Sequence, residues 1–315
     1  MRISPLLLAL ACLATTPALL RAQPPPVDPT TWPRFRGHNG AGHGELHHLP
    51  LPFGEADYNW RVPLAGSGHS SPAVWKDRIF VTGADEAQGR RYLQCLATAD
   101  GRTLWQRAVD FARYPRHAFN SFASSTPAVD AERVYVAWPA PDSYLVVAYS
   151  HDGRELWRQD LGAYSAHHGG ACSPIVVGDL VILGKEPEGG EGAFYGLDRR
   201  TGAIRWVLPR QSKDATYATP MLYQPPQGGP QLILTSNSYG FTAVDPASGR
   251  VLWEIRGTFR TRCVGSPIQV GPLLFGTAGN GAGDKQSVAI RPPETDGAVP
   301  TIAYEIRRGL SYVPT

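Results

Sequence analysis

One phrase repeated four times constrains this chain more than any other feature. Residues 99–105 read ADGRTLW, and the phrase returns as HDGRELW (151–157), RTGAIRW (200–206) and ASGRVLW (247–253). Each copy sets a Trp four residues after a Gly: Gly101 and Trp105, Gly153 and Trp157, Gly202 and Trp206, Gly249 and Trp253. Trp scattered over strands would not keep that spacing. A second signal accompanies it. A Ser-Pro or Thr-Pro pair opens a short apolar run upstream of each Trp, with prolines at 72, 127, 174, 220 and 267. The period lies in the high forties, lengthened once by an insertion at residues 107–122.

A repeat of that length with four strand-like segments is the mark of a propeller blade. In the first unit the strands read 71–75, 78–82, 91–96 and 103–107, with Lys76-Asp77 and Ala99–Arg102 as turns. The runs are β-branched and aromatic, and the breaks carry Asp and Gly. No long 3.6-residue periodicity occurs, so few helices are expected. The fold class is therefore all-β: a β-propeller of four-stranded blades, five of them complete within residues 59–315. A blade is a small twisted sheet that cannot bury both faces alone. A Trp at a fixed place on the outer strand can dock on the next blade, and the Gly supplies the turn before it. Trp60, in YNWRVPL, reads as the outer strand of a further, partial blade.

Charged residues make up only 18% of the chain and the net charge is +3, which argues against disorder and against a nucleic-acid surface. Residues 1–22 have the form of a secretory signal peptide, with Arg2 before an apolar run and Ala22 before Gln23. Thr15, Thr16 and Pro17 leave that run short for a membrane span, and Ala9 stands where a lipidated Cys12 would want Leu. The protein is thus expected to be exported, to the periplasm, the cell envelope or the medium. Residues 23–58 form an N-terminal extension. Cys95, Cys172 and Cys263 remain, without CxxC or CxxCH, and are read as small buried apolar residues.

Two copies extend the phrase further: Ala243-Val-Asp245-Pro-Ala-Ser248-Gly249-Arg-Val-Leu-Trp253 and Gly196-Leu-Asp198-Arg-Arg-Thr201-Gly202-Ala-Ile-Arg-Trp206. They resemble the tryptophan-docking motif AxDxxTGxxxW of PQQ-like, quinoprotein-type propellers. At Trp105 and Trp157 the aligned acidic position holds Ala97 and Tyr149, and the fifth unit has Gly297 and Tyr304 with no Trp. WPRFRGHNGAG (32–42) resembles the opening of exported, planctomycete-type members of the family. The resemblance implies a parent of seven or eight blades. The final Tyr312–Thr315 resembles Tyr217–Thr219, which suggests a truncated propeller. The resemblance also implies two functional precedents. Quinone dehydrogenases of the family hold PQQ over the channel with Arg and with Ca²⁺ on carboxylate and amide oxygens, and use an Asp base and often a vicinal Cys pair. An outer-membrane-assembly scaffold uses the same propeller without cofactor.

The loops that enter each inner strand should share one rim. They carry His69 in the first unit, His117 and Asn120 in the second, His167 and His168 in the third, Tyr217 in the fourth, and Arg260 and Arg262 in the fifth. Such a set would suit a small or anionic ligand, while an ordinary solvated rim is the plainer reading. His38, His43, His47 and His48 lie in a Gly-rich segment and are read as surface; no metal site is expected. No GxSxG elbow accompanies His167-His168, Ser165 or Ser173. GNGAGDK (279–285) reads as a loop insertion, because no helix pattern follows it. Rim carboxylates are nearly lacking and no Cys-Cys pair occurs. The leading expectation is an exported, non-catalytic scaffold or binding protein with an envelope protein or glycan partner and no cofactor. The alternative is a fragment of a PQQ-dependent dehydrogenase acting on alcohols or sugars, with His117, His168, Arg260 and Arg262 as contacts.

Overall fold

The computed structural model describes residues 28–44, 50–281, 283–294 and 298–311. After a two-residue strand β1 (Thr31–Trp32), five antiparallel four-stranded units follow in chain order. Blade 1 holds β2 (Ala73–Trp75), β3 (Arg78–Asp85), β4 (Arg90–Ala97) and β5 (Thr103–Asp110). Blade 2 holds β6 (Ala128–Val129), β7 (Arg133–Pro139), β8 (Tyr144–Ser150) and β9 (Glu155–Asp160). Blade 3 holds β10 (Ile175–Val177), β11 (Leu180–Lys185), β12 (Gly190–Asp198) and β13 (Ile204–Ser212). Blade 4 holds β14 (Met221–Tyr223), β15 (Gln231–Ser236), β16 (Gly240–Val244) and β17 (Val251–Ile255). Blade 5 holds β18 (Ile268–Val270), β19 (Leu273–Asn280), β20 (Gly283–Arg291) and β21 (Thr301–Ile306). Residues 279–285 thus lie at the β19–β20 hairpin, between the second and third strands of a blade.

Period-two alternation gives each strand two apolar faces, one for each neighbouring blade. On β7, Val134, Val136 and Trp138 pack toward blade 1, while Tyr135 and Ala137 pack toward blade 3. Further clusters join blade 3 to blade 4 and blade 4 to blade 5. Full burial of each large apolar side chain contributes about 1.5–3 kcal/mol, so the inter-blade seams hold most of the stabilisation. The outer strand β21 is exposed along its whole length, whereas Trp157, Trp206 and Trp253 on the earlier outer strands are buried.

The repeated phrase has a mechanical role. Each Trp pairs across its sheet with a small residue: Trp105 with Cys95, Trp157 with Ala148, Trp206 with Gly196 and Trp253 with Ala243. The ring then projects over the Gly turn of the following blade. A Cβ at Gly153 would lie 2.6 Å from Trp105, one at Gly202 2.6 Å from Trp157, and one at Gly249 2.7 Å from Trp206. All three glycines have positive φ, so the turn needs Gly for its backbone as well as for the ring. The indole N–H donates to a turn carbonyl at the same time: Trp105 to His151 (2.7 Å), Trp157 to Arg199 (3.0 Å) and Trp206 to Pro246 (3.0 Å). Trp253 instead donates to the Gln231 side chain in its own blade (2.9 Å); Gly297 lies outside the described residues.

Two details differ from the sequence reading. Trp60 sits over Gly101 and donates to the Thr98 carbonyl (2.9 Å), yet its segment is not a strand among the described residues. Docking there needs the ring and the turn, and no sheet partner reaches the Trp60 backbone. The HDG turn is also one residue shorter than the others. Gly153 N–H donates to Ser150, whereas Gly202 and Gly249 donate to Asp198 and Asp245, four residues back. Ser150, not Tyr149, therefore holds the place of the acidic residue. Where present, that residue organises the turn: Asp198 accepts from the N–H of Arg200 and Thr201, and Asp245 accepts from the N–H of Ala247 and the Ser248 hydroxyl.

The Ser-Pro and Thr-Pro pairs form a hydrogen-bonded belt around the inner strands. Ser71 N–H donates to Thr126 Oγ1 (2.9 Å), Thr126 N–H to Ser173 Oγ (3.0 Å), Ser173 N–H to Thr219 Oγ1 (3.2 Å), and Thr219 N–H to Ser266 Oγ (2.9 Å). Each hydroxyl satisfies a backbone donor of the preceding blade, most of them buried. Cys172 has a place in the same scheme, since its Sγ lies 3.5 Å from the Ala218 carbonyl. All three cysteines are buried and unpaired with one another.

The N-terminal segment is not the loose run its glycines suggest. Thr31–Trp32 pairs with Val74–Trp75 and turns blade 1 into a five-stranded sheet. His38 Nε2 binds the Thr31 hydroxyl (3.1 Å) and carbonyl (2.9 Å), so it holds the segment's own fold. His43 is exposed, and His47 and His48 lie outside the described residues.

Candidate functional site

In an antiparallel blade the docking turn and the loop entering the next blade lie at opposite ends of the outer strand. The entry loops therefore share the rim away from the docking turns. The insertion at 107–122 is packed, not draped. Arg91, on β4, is buried beneath it, donates to the Tyr114 hydroxyl (2.8 Å) and the Pro139 carbonyl (2.8 Å), and faces the ring of Phe111 at 4.6 Å. Phe122 packs against Phe111 at a tilt (4.7 Å) and meets Tyr114 edge-on (4.8 Å). That platform carries His117.

The rim brings together part of the predicted set. The His117 ring lies 4.9 Å from that of His168, and His167 lies 5.4 Å from His168 on its other side. Tyr217 meets His168 edge-on at 6.2 Å. Arg262 bonds His168 through Nη1 (2.5 Å to Nδ1) and donates to Glu188 Oε1 (3.1 Å) through Nη2. Glu188 Oε2 accepts from the Ala215 N–H (3.3 Å). Asn120 donates to the His168 carbonyl and accepts from the Ser121 N–H (2.8 Å) and the Ser124 hydroxyl (2.5 Å). Four blades thus meet at His168. Burial, then the Arg262 charge and the neighbouring rings, hold the imidazole below its usual pKa, against Glu188.

His69 and Arg260 do not join the cluster. His69 is exposed and engages the rim through its backbone, whose N–H reaches Ser121 Oγ (3.1 Å). Arg260 is exposed, and its carbonyl and N–H, not its guanidinium, contact Asn237 and Gln286. Beside the cluster opens a cleft of about 430 Å³ bordered by Tyr114, Pro141, Tyr164, Ser165, His167 and Glu188.

Sequence reasoning passed over two carboxylates here, Glu186 and Glu188, because both sit in the β11–β12 turn and not in an entry loop. Glu188 neutralises Arg262. Glu186 is buried, and neither of its carboxyl oxygens makes a hydrogen bond of good geometry. Burial raises its pKa to about 7, with Arg210 and the Thr216 hydroxyl pulling the other way. The alternation E-P-E between a strand and a Gly-Gly turn was the available signal.

Fold and rim together define a β-propeller of four-stranded repeats with an imidazole-bearing mouth. The family model described as outer membrane protein assembly factor BamB matches residues 89–295, and the chain belongs to this family of PQQ-like propeller repeats. BamB from Moraxella catarrhalis is similar in structure, with a TM-score of 0.51 and 19% identity over 79% of this chain and 66% of that one. A europium-containing methanol dehydrogenase matches with a TM-score of 0.55 and 11% identity, over 89% of this chain and 58% of that one. The quinohemoprotein alcohol dehydrogenase from Comamonas testosteroni matches with 0.54 and 14%, over 88% and 49%. The chain spans about half to two thirds of the length of these proteins, and identities this low speak to the fold alone. No curated protein matches the sequence closely enough to count as a relative. No helix among the described residues is long and apolar enough to cross a membrane.

The solved neighbours include methanol and quinohemoprotein alcohol dehydrogenases, so the donors at the rim bear on cofactor binding. Among the described residues they do not fit a quinone held with a hard cation. A hard cation needs several carboxylate and amide oxygens together. Glu188 is committed to Arg262 and to a backbone N–H, the Asn120 amide oxygen accepts from Ser121 and Ser124 in its own loop, and Glu186 is buried below the surface. Among the described residues no three His, Cys, Asp or Glu side chains converge as metal ligands.

Proposed function

We propose that this protein is an exported, non-catalytic propeller scaffold whose rim binds an envelope protein or glycan partner. The observation that carries the reading is the Glu188–Arg262–His168 cluster, in which the rim's groups satisfy one another across blades. A dehydrogenase site would leave its arginine and carboxylate free for the quinone and its cation. Here the cluster ties blade 3 to blade 5 and leaves His117 and His167 exposed at the mouth as contact groups. The family match to the BamB description agrees with a role in assembly, and the N-terminal signal form agrees with export.

The test is titration of the purified chain with PQQ, with and without Ca²⁺, followed by calorimetry and thermal unfolding. A ligand that binds only the folded state raises the unfolding temperature by mass action. The scaffold reading expects no saturable heat and no shift. Saturable Ca²⁺-dependent binding that is lost in Arg262→Ala would replace it with the dehydrogenase reading.

A further inference from the structure

The axis of the propeller is occupied by the chain itself. The first strands of the blades line the axis and leave backbone N–H and C=O groups facing it, a ready template for another strand. Residues 30–39 take these groups up blade by blade. On blade 1, Lys76 N–H donates to the Thr30 carbonyl (2.9 Å), and Thr31–Trp32 adds as a strand to β2. On blade 2, Val129 N–H donates to the Pro33 carbonyl (2.8 Å). On blade 4, Arg34 Nη2 donates to the Pro220 carbonyl (2.6 Å). The Asn39 carboxamide then donates to the Leu222 carbonyl (2.6 Å) and accepts from the Leu222 N–H (2.8 Å). Asn39 thereby offers β14 the two bonds that a neighbouring strand would make.

The segment is shaped for this place. Arg36 and Asn39 have positive φ, which non-glycine residues rarely adopt, and Gly37 and Gly40 flank them with the same sign. A Cβ on Gly37 would strike the Trp32 ring at 2.6 Å, and one on Gly40 would lie 2.9 Å from Arg34 Nη2. Arg34 is only 7% exposed, and no carboxylate among the described residues pairs with it. Burying a guanidinium against carbonyl oxygen alone is costly.

We propose that the inner edges of blades 1, 2 and 4 form a binding site for a peptide in which a short strand runs into a tight turn bearing Arg and Asn, filled in cis by residues 28–44. While the strap is seated, the backbone groups it bonds on blades 1, 2 and 4 are closed to another strand. Cys172 reports on the strap. Its thiol contacts the Ala218 carbonyl, two residues before the Pro220 carbonyl that Arg34 grips, and Ser173 is bonded to Thr219 in the same belt. Cys95 lies in the core between blades 1 and 2 and serves as the internal control.

The experiment uses the full chain carrying Arg34→Ala and Asn39→Ala, labelled with iodoacetamide, with modification of Cys172 and Cys95 read by mass spectrometry. Local opening should speed Cys172 labelling about tenfold or more and leave Cys95 unchanged. A synthetic peptide of residues 28–44 should then bind the variant saturably and restore slow labelling, and should not bind the wild type. Unchanged Cys172 labelling, equal acceleration at both cysteines, or peptide binding to wild type and variant alike would each overturn the proposal. Asn39→Ala alone removes an exposed side chain and its two bonds to Leu222 while leaving buried Arg34 in place, and it serves with the same readouts where the double variant fails to fold.

Discussion

The docking turns and the entry-loop rim are made by the same repeats at opposite ends of the blades, yet they follow different rules. On the docking side one solution recurs: a Trp ring on a Gly turn, and an indole N–H on a turn carbonyl. On the rim no two loops are alike. His168, Arg262 and Glu188 come from different positions of their repeats and form a single cluster. An interface between like neighbours must repeat, because every blade meets the next in the same way. A rim that faces solvent or a partner carries no such requirement.

Substitutions should separate the two sides by the size of their effects. Trp206→Ala removes a buried ring and its bond to Pro246, and should cost about 3–5 kcal/mol in denaturant unfolding. A cost below about 1 kcal/mol would mean that docking is ornamental.

Glu186→Gln tests the layer beneath the rim. Burial raises the folded pKa of Glu186 to about 7 from the ordinary 4.5, so the folded state holds a proton that the unfolded chain releases. Its contribution to stability is complete below about 4.5, declines as pH rises, and is lost above about 7. The Gln variant should therefore gain on the order of 1–3 kcal/mol over wild type at pH 8 and nothing near pH 4. A gain independent of pH would exclude the carboxyl group as its source.

Ser173→Ala strips the belt of one acceptor and leaves the Thr126 N–H buried without a partner, at a cost of about 1–2 kcal/mol. Ser173→Thr keeps the hydroxyl and should restore most of that loss; failure to do so would point to packing and not to the bond.

The smallest effect on stability is expected at Arg262→Ala, about 1 kcal/mol or less for a half-buried ion pair. Its signature is electrostatic. With the guanidinium gone, the His168 pKa should move up toward 6.5, as read by NMR titration. Since that pKa is depressed in the folded protein, the stability tied to neutral His168 is present above about 6.5 and is lost as pH falls through its folded value. An unmoved His168 titration would mean that burial and the neighbouring rings, without Arg262, hold the imidazole neutral.

Much of the blade architecture was legible because it is local and repeated. Gly-x-x-x-Trp, the Ser-Pro and Thr-Pro starts, and the alternating strands each state a rule within a few residues. Errors came where one copy departed from the rule. The shortened HDG turn shifts the acidic position to Ser150, and Trp60 docks without a strand to carry it. The rim was only half legible. His117, His168 and Arg262 meet, but His69 and Arg260 face away, because loop position says nothing of side-chain direction.

The sequence by itself determined the repeat, the strands, the turns that need glycine and the spacing at which one blade meets the next. These follow from backbone sterics and from the burial of large rings, both of which act over short stretches of chain. Only the tertiary structure decided that Arg34 would grip a carbonyl 186 residues away, that Glu188 would neutralise Arg262 across two blades, and that Glu186 would be buried without a hydrogen bond of good geometry. Those contacts depend on how the blades are arranged about the axis, which sets distances between residues that no local pattern relates.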